Sequence, residues 1–136
     1  MTKKLLVVKK LMLIILCAAV LKLAYYLTMV RPFDEFWAET KAILSGELRP
    51  DTDHPLWGDY HLDLGKPYSQ AASVKLDISR YFVWRWGNHG GMIVDFSQEY
   101  YDEDGNLLVR NYSGEKWTLE KIDGKWTITE MDPGLP

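Results

Sequence analysis

Residues 116–128, KWTLEKIDGKWTI, alternate apolar and polar side chains on both sides of an Asp-Gly pair. An Asp-Gly pair between two alternating stretches indicates a two-residue type I′ β-hairpin turn. One face of this hairpin is then rich in tryptophan and the other in threonine, which is typical of an antiparallel sheet covered on one side only. The pairs that the turn predicts are Leu119 with Ile128, Lys121 with Trp126, Trp117 with Glu130, Thr118 with Thr129, and Glu120 with Thr127.

The same alternation runs upstream through residues 73–86, where the apolar face is interrupted by Arg80. Fourteen residues are long for a strand, so we expect a bend or bulge near Ser79-Arg80. Reversals at 87–91 and 102–106, a further turn at Ser113-Gly114 and a short strand over 60–64 predict five or six strands. The apolar face of residues 73–86 is predicted to comprise Val74, Leu76, Ile78, Phe82, Trp84 and Trp86.

Residues 33–45, FDEFWAETKAILS, repeat apolar side chains with helical spacing. Pro32 suits the first turn of a helix, and Gly46 suits the position just past its end. One apolar stripe and one apolar sheet face can cover each other, which predicts an α+β fold. The expected architecture is an N-terminal transmembrane helix, then one amphipathic helix packed on a curved antiparallel sheet of five to six strands.

The N-terminal 30 residues carry five lysines and no acidic residue. Residues 11–30 are almost entirely apolar, and twenty helical residues span about 30 Å, the thickness of a hydrocarbon core. Because lysines remain on the cytoplasmic side, we expect a single-pass signal anchor over 1–30 with a cytoplasmic N-terminus and an extracytoplasmic domain over 31–136. The alternative is a signal peptide that is cleaved to leave a secreted domain.

Charge and cysteine content exclude several classes of function. Residues 31–136 hold eleven Lys and Arg against nineteen Asp and Glu, a net −8, so no nucleic-acid partner is expected. The single cysteine, Cys17, cannot form an internal disulfide or a multi-cysteine zinc site. We expect no catalytic residue, no metal site and no cofactor.

Four residues stand out as candidate pocket or partner residues. Lys22, near the midpoint of the apolar segment, either meets an acidic residue of a partner helix or extends its ammonium to the interface. Arg80 needs a carboxylate partner such as Asp95, Glu99 or Glu130, lines a pocket, or is rotated outward by a bulge. His61 and Asp63 share one strand face, where they bind a metal, or Asp63 orients His61 as a general base, or both face solvent.

The order of helix, strands and closing hairpin resembles the cystatin-like and nuclear-transport-factor-like α+β families, and the hairpin at 116–128 is similar to that of membrane-anchored bacterial members. The resemblance implies a curved sheet wrapped around an N-terminal helix. Enzymatic members carry an Asp, Tyr or His inside the cone, and larger members have two or three helices before the sheet, where this chain has one.

The expected function is that of a membrane-anchored extracytoplasmic accessory or binding domain without catalytic activity, which contacts a protein partner. The expected partners are the membrane, through residues 11–30, and a membrane protein; no small-molecule ligand is identified. The alternative is a small hydrolase, isomerase or ligand-binding domain with a cone-shaped pocket that contains Arg80 and a carboxylate.

Overall fold

The computed structural model describes residues 2–60 and 68–133. Helix α1 is followed by a π-helical turn and a 3-10 turn, which lead without a loop into helix α2. Two further 3-10 turns precede four antiparallel strands in the order β1-β2-β3-β4. The bounds are α1 Thr2–Tyr25, π turn Tyr26–Val30, 3-10 turn Arg31–Phe33, α2 Asp34–Leu44, 3-10 turns Trp57–Asp59 and Tyr68–Gln70, β1 Ser73–Trp86, β2 His89–Tyr101, β3 Leu107–Ile122 and β4 Lys125–Pro133.

The closing hairpin forms as predicted at its turn and deviates farther out. Asp123 and Gly124 both adopt positive φ, at 52° and 81°, as a type I′ turn requires. The pairs next to the turn are confirmed, but a bulge between Thr118 and Leu119 adds one residue beyond them. The observed pairs are Leu119 with Ile128, Lys121 with Trp126, Glu120 with Thr127, Thr118 with Glu130 and Trp117 with Met131.

The α+β class and the antiparallel sheet are confirmed, but the predicted count of five to six strands is wrong. The structure has four strands in the part of the chain that it describes, since Ser113-Gly114 is not a turn. Gly114 lies opposite Asp95 inside the continuous strand β3. A Cβ at Gly114 would lie 3.2 Å from Asp95 Oδ1, so this glycine leaves room for a neighbouring side chain rather than reversing the chain. The predicted short strand over 60–64 falls mostly outside the described residues.

Helix α2 covers one face of the sheet through the predicted apolar stripe. Phe33, just before α2, packs with its ring centroid 4.6 Å from that of Trp126, and Phe36 meets Trp117 edge to face. Trp37 is also buried, and these aromatic side chains form one core with the inner faces of the strands. The buried core comprises Phe33, Trp37, Ile43, Leu44, Leu56, Tyr60, Val83, Met92, Val94, Phe96, Trp117, Leu119 and Ile128.

Strand β1 does contain the predicted bulge, two residues beyond the predicted place. The pairing with β2 shifts between Tyr81 and Trp84, and Phe82 there adopts a φ of 50°. Because an extra residue in a strand reverses the facing of all that follow, Val83 turns inward and becomes buried. Phe82, Trp84 and Trp86, predicted to belong to the apolar core face, are therefore exposed.

Helix α1 has 24 residues, and none of them is buried. Among the described residues, no helix is both long enough and apolar enough to cross a membrane. The α-helix ends at Tyr25, and lysines at 9, 10 and 22 leave only the eleven residues 11–21 uninterrupted, roughly 16 Å of helix. The predicted transmembrane signal anchor, and with it the single-pass location in the cell membrane, is therefore wrong.

Candidate functional site

Arg80 lies on the inner face of the sheet, where it packs between β1 and α2. Its guanidinium carbon stands 4.8 Å from the centre of the Trp37 ring, and Nη2 lies 3.8 Å from Asp34 Oδ1. The side chain is 18% exposed, and Nη1 is buried without a hydrogen-bond partner among the described residues. Burial lowers the pKa of Arg80, and the negative charge of Asp34 opposes that shift. The site therefore holds a partly desolvated cation over an aromatic ring.

The carboxylates predicted as partners of Arg80 are engaged elsewhere or exposed. Asp95 accepts a hydrogen bond from the Tyr112 hydroxyl at 2.7 Å, and Glu99 accepts one from the Tyr101 hydroxyl. Glu130 is exposed on β4. Asp34, the actual partner, is the first residue of α2, and the alternation that located Arg80 on the sheet carried no information about the helix placed above it.

A second group of polar side chains lies on the same inner face, near Leu44 and Asp59. The Gln98 amide donates to the Leu44 carbonyl oxygen at 2.6 Å and to the Asp59 carbonyl oxygen at 3.3 Å. Asn111 in turn donates to Gln98 Oε1 at 3.3 Å. The buried amide thus ties the sheet to the end of α2 and to the 3-10 turn Trp57–Asp59.

Two carboxyl groups and a tyrosine complete this group of polar side chains, here named the inner polar cluster. Its members are Gln98, Asn111, Asp59, Glu115 and Tyr100. Glu115 accepts hydrogen bonds from Ser113 Oγ at 2.7 Å and from Trp117 Nε1 at 2.8 Å, so both of its oxygens are held. Desolvation raises the pKa of Asp59 to about 6, and the charge of Glu115 adds to the increase. Burial also raises the pKa of the Tyr100 hydroxyl, with smaller contributions from Tyr68 and Asp59.

Arg80 and this inner polar cluster do not form one site. Arg80 pairs across the sheet with Val94, and Glu115 pairs with Val94 from the other side, two strands from Arg80, whereas Gln98 lies four residues farther along β2. Four residues of strand span about 13 Å. The desolvated cation and the carboxyl group of raised pKa, expected together in a single pocket, therefore lie at different places on the inner face.

Of the remaining candidate residues, the structure describes Lys22. His61 and Asp63 fall outside the described residues. Lys22 is exposed on α1. His54 Nδ1 accepts a hydrogen bond from the Leu56 amide at 3.0 Å, which stabilises its own turn. No group of three or more His, Cys, Asp and Glu suited to a metal ion occurs within residues 2–60 and 68–133.

A cleft of about 260 Å³ lies between the start of α2 and the tip of the β3–β4 hairpin. Phe36 and Trp126 form its apolar part, Glu35 and Glu39 provide acidic groups, and Lys125 provides a basic one. Arg80 does not line this cleft. Asp59, Gln98 and Glu115 do not line it either, so the inner polar cluster is a separate feature.

The chain was compared with protein families, curated proteins and solved structures. No family model, no curated protein and no solved structure matches this chain.

Proposed function

We propose that this chain is a binding or accessory domain without catalytic activity, which contacts a protein partner through α1. One observation carries the proposal: all 24 residues of α1 lie outside the core of their own domain. Helices in globular proteins are stabilised mainly by packing of an apolar face. A helix with apolar side chains on all sides therefore needs a covering that its own domain does not provide. The exposed large apolar side chains of α1 are Leu5, Leu6, Val7, Val8, Leu11, Met12, Leu13, Ile14, Ile15, Leu16, Val20, Leu21, Leu23 and Tyr25.

The exposed apolar area is large enough to matter energetically. Each fully covered leucine or isoleucine contributes about 1.5–3 kcal/mol. Covering one side of α1 removes several such side chains from water, which can offset the entropic cost of association. Arg80 and the inner polar cluster provide no comparable surface, because most of their polar groups already contact other groups of the same domain.

The test is a photo-crosslinking experiment on the full chain. A photoreactive residue replaces Leu13 on α1 or, as a control, Thr129 on β4, and both positions are exposed. We expect discrete protein adducts from position 13 and none from position 129. The double variant Leu13→Glu/Leu16→Glu, with the photoreactive residue moved to position 20, should lose the adducts. The variant Ser79→Glu/Thr129→Glu adds the same charge to the sheet and should keep them.

Two results would contradict this function. One is a full chain that behaves as a solitary monodisperse monomer and gives no adduct from α1. The other is an equal yield of adducts from positions 13 and 129, because it would indicate random collision rather than a docking element.

A second candidate, a small ligand-binding domain of the cone-shaped type, is favoured by the raised pKa of Asp59 beside Glu115 and Tyr100. A protonated carboxyl on an inner face can donate a hydrogen bond to a neutral polar ligand. Its test is ligand-detected NMR with a library of small neutral and anionic compounds. Binding that disappears in Asp59→Ala, which removes the hydrogen-bond donor, but persists in Asp53→Ala would support this candidate. Equal binding by both variants would exclude the cluster.

A further inference from the structure

The base of α1 is joined to an exposed aromatic surface on β1, here named the aromatic collar and defined by Tyr81, Phe82, Trp84 and Trp86. The Tyr25 hydroxyl donates to the Val83 carbonyl oxygen at 2.6 Å, and Arg85 Nε donates to the Thr28 carbonyl oxygen at 3.0 Å. These bonds hold the end of the helix against the bulge of β1. The apolar surface of α1 therefore continues onto the aromatic collar.

The aromatic collar is maintained at an energetic cost. Phe82 adopts a φ of 50°, which is unfavourable for a residue with a bulky side chain. Its ring is 80% exposed and that of Trp86 is 82% exposed, so neither gains from burial in the isolated chain. Backbone strain that turns aromatic rings into water indicates a surface used for contact.

Charge is strongly segregated between α1 and the rest of the chain. The first 30 residues carry five lysines and no acidic residue, whereas residues 31–136 carry a net −8. An occupant that covers α1 and the aromatic collar must therefore combine apolar surface with carboxylates near the lysines. A second copy of this chain provides both, because its domain is acidic and its own α1 is apolar.

We propose that α1 and the aromatic collar are covered by a second copy of this chain, with the two α1 helices antiparallel. The inference rests on the proposed function, since it names the protein partner that α1 contacts. Parallel helices would place five lysines beside five lysines and one acidic domain beside the other. Antiparallel helices bring Lys3 near Lys22 of the other copy, but they place each basic helix end beside the acidic domain of that copy.

The length of α1 fits this arrangement. Twenty-four residues span about 36 Å, so Lys3 and Lys4 of one copy reach the base of the other copy's helix. Exposed aromatic faces and the carboxylates of Asp34 and Glu35 lie in that part of the chain. A lysine ammonium group can lie over the face of a Trp or Phe ring, and it can also form an ion pair with a carboxylate.

The area required by a stable dimer explains why the aromatic collar belongs to the interface. One side of a helix of this length and about 11 Å width covers roughly 400 Å² per copy. A standard interface buries about 800 Å² per partner. The helix alone provides about half of that area, and the aromatic collar with the lysine-bearing end supplies the remainder.

The first test measures the mass of the full chain by light scattering over a concentration series. We expect a dimer for the wild type and at least about tenfold weaker association for Leu13→Glu/Leu16→Glu and for Phe82→Asn/Trp86→Ser. The matched control Ser79→Glu/Thr129→Glu should remain dimeric. Circular dichroism and urea unfolding of each variant show whether the fold is retained. The single variant Phe82→Asn removes the backbone strain at residue 82 without affecting the core.

The second test determines the orientation by disulfide formation in a Cys17→Ser background. Position 2 of one antiparallel helix lies near position 23 of the other. A mixture of Thr2→Cys and Leu23→Cys chains should therefore crosslink readily, while Thr2→Cys alone should not. Rapid crosslinking of Thr2→Cys with itself would overturn the antiparallel arrangement.

The remaining outcomes separate this inference from the proposed function. A monomeric mass at all concentrations overturns the second copy as occupant, and α1 adducts with a different protein would then leave the proposed function standing. A monomer without any adduct overturns both. Binding of the monomer to vesicles of phosphatidylcholine and phosphatidylglycerol, without dimer formation, assigns the surface to lipid and also overturns the inference.

Discussion

Asp59 is the residue whose chemistry depends most on the fold around it. It ends the 3-10 turn Trp57–Asp59, and its carbonyl oxygen accepts a hydrogen bond from Gln98. Desolvation and the nearby charge of Glu115 raise the pKa of its carboxyl group from 3.8 to about 6. Because the folded chain holds this proton more tightly than the unfolded chain, protonation of Asp59 stabilises the fold.

The contribution of Asp59 to the stability of the chain should therefore fall between about pH 4 and pH 6. The contribution of Asp59 is complete below the unfolded pKa near 4 and is lost as the pH rises through the folded value near 6. A shift of about two pKa units sets a ceiling of about 3 kcal/mol, which partial solvation reduces to about 1–2 kcal/mol. Urea unfolding of wild type and Asp59→Asn at pH 4.5, 5.5 and 7.5 measures it. The control is Asp53→Asn, at an exposed residue of the same loop. If the free energy of unfolding of Asp59→Asn depends on pH as that of the wild type does, the assignment is refuted.

Arg80 should contribute to stability more through its packing than through its ion pair. Its guanidinium lies over Trp37, whereas Asp34 is 52% exposed and lies 3.8 Å away. We expect Arg80→Ala to lower the free energy of unfolding by about 1–3 kcal/mol and Asp34→Asn by less than about 0.5 kcal/mol. Arg80→Met, which keeps the long stem, should fall between them. Urea unfolding checks the order, and a larger loss in Asp34→Asn than in Arg80→Ala would show that the ion pair dominates.

Strand β1 shows how a single element departs from its sequence pattern. The alternation predicted the strand and its length predicted the irregularity, but the predicted apolar face was continued past the bulge, where the facing of the side chains reverses. The extra residue moved Phe82 and Trp86 from the predicted core to the surface and brought Val83 inward. Propensity and periodicity do not locate a bulge, because its position depends on the facing strand.

Gly90, the second residue of β2, should tolerate no added side chain, because it lies against the β1 bulge. A Cβ at Gly90 would lie 2.8 Å from the Trp84 carbonyl oxygen and 2.5 Å from Phe33 Cζ. We expect Gly90→Ala to destabilise the fold by about 1–3 kcal/mol. Gly58→Ala, where nothing lies within 4 Å, is the matched control and should remain within about 0.5 kcal/mol of wild type. Equal unfolding midpoints for the two variants would contradict this packing.

The strain at Phe82 provides a second prediction for β1. Asparagine accepts positive φ more readily than phenylalanine, and the exposed ring contributes little to the core. Phe82→Asn should therefore raise the free energy of unfolding of the monomer by about 0.5–1 kcal/mol. Urea unfolding at low protein concentration measures the change, with Tyr112→Asn on the exposed face of β3 as the comparison. A loss of stability in Phe82→Asn would show that the ring supports the fold after all.

The hairpin and helix α2 could be predicted because each carries its own local signal. The Asp-Gly turn fixes the register near residues 119–128, and the apolar stripe of residues 33–44 fixes which side of α2 is buried. The inner polar cluster could not be predicted, since Asp59, Gln98 and Glu115 come together only through sheet register and the packing of a loop. The alternation assigned β2 correctly but did not indicate that Gln98 would be buried among apolar neighbours.

At the scale of the whole molecule, the chain divides into a helix with no buried residue and a domain with a closed core. The two parts also differ in charge, with five lysines in the first 30 residues and a net −8 in the remainder. The predicted membrane crossing is wrong, because lysines limit the uninterrupted apolar part of α1 to residues 11–21. What remains is a folded α+β domain with one uncovered helix, which we propose contacts a partner.

The most direct measurement is the rate at which a thiol reagent modifies Cys17, the single cysteine, which is exposed near the middle of α1. Modification depends on access to the thiol, so the rate reports whether the helix is covered. In the dilute monomer the account predicts a rate within about threefold of that in urea, falling at least about tenfold when the partner-bound form predominates. A slow rate already in the dilute monomer would mean that α1 packs on its own domain, and it would contradict the account.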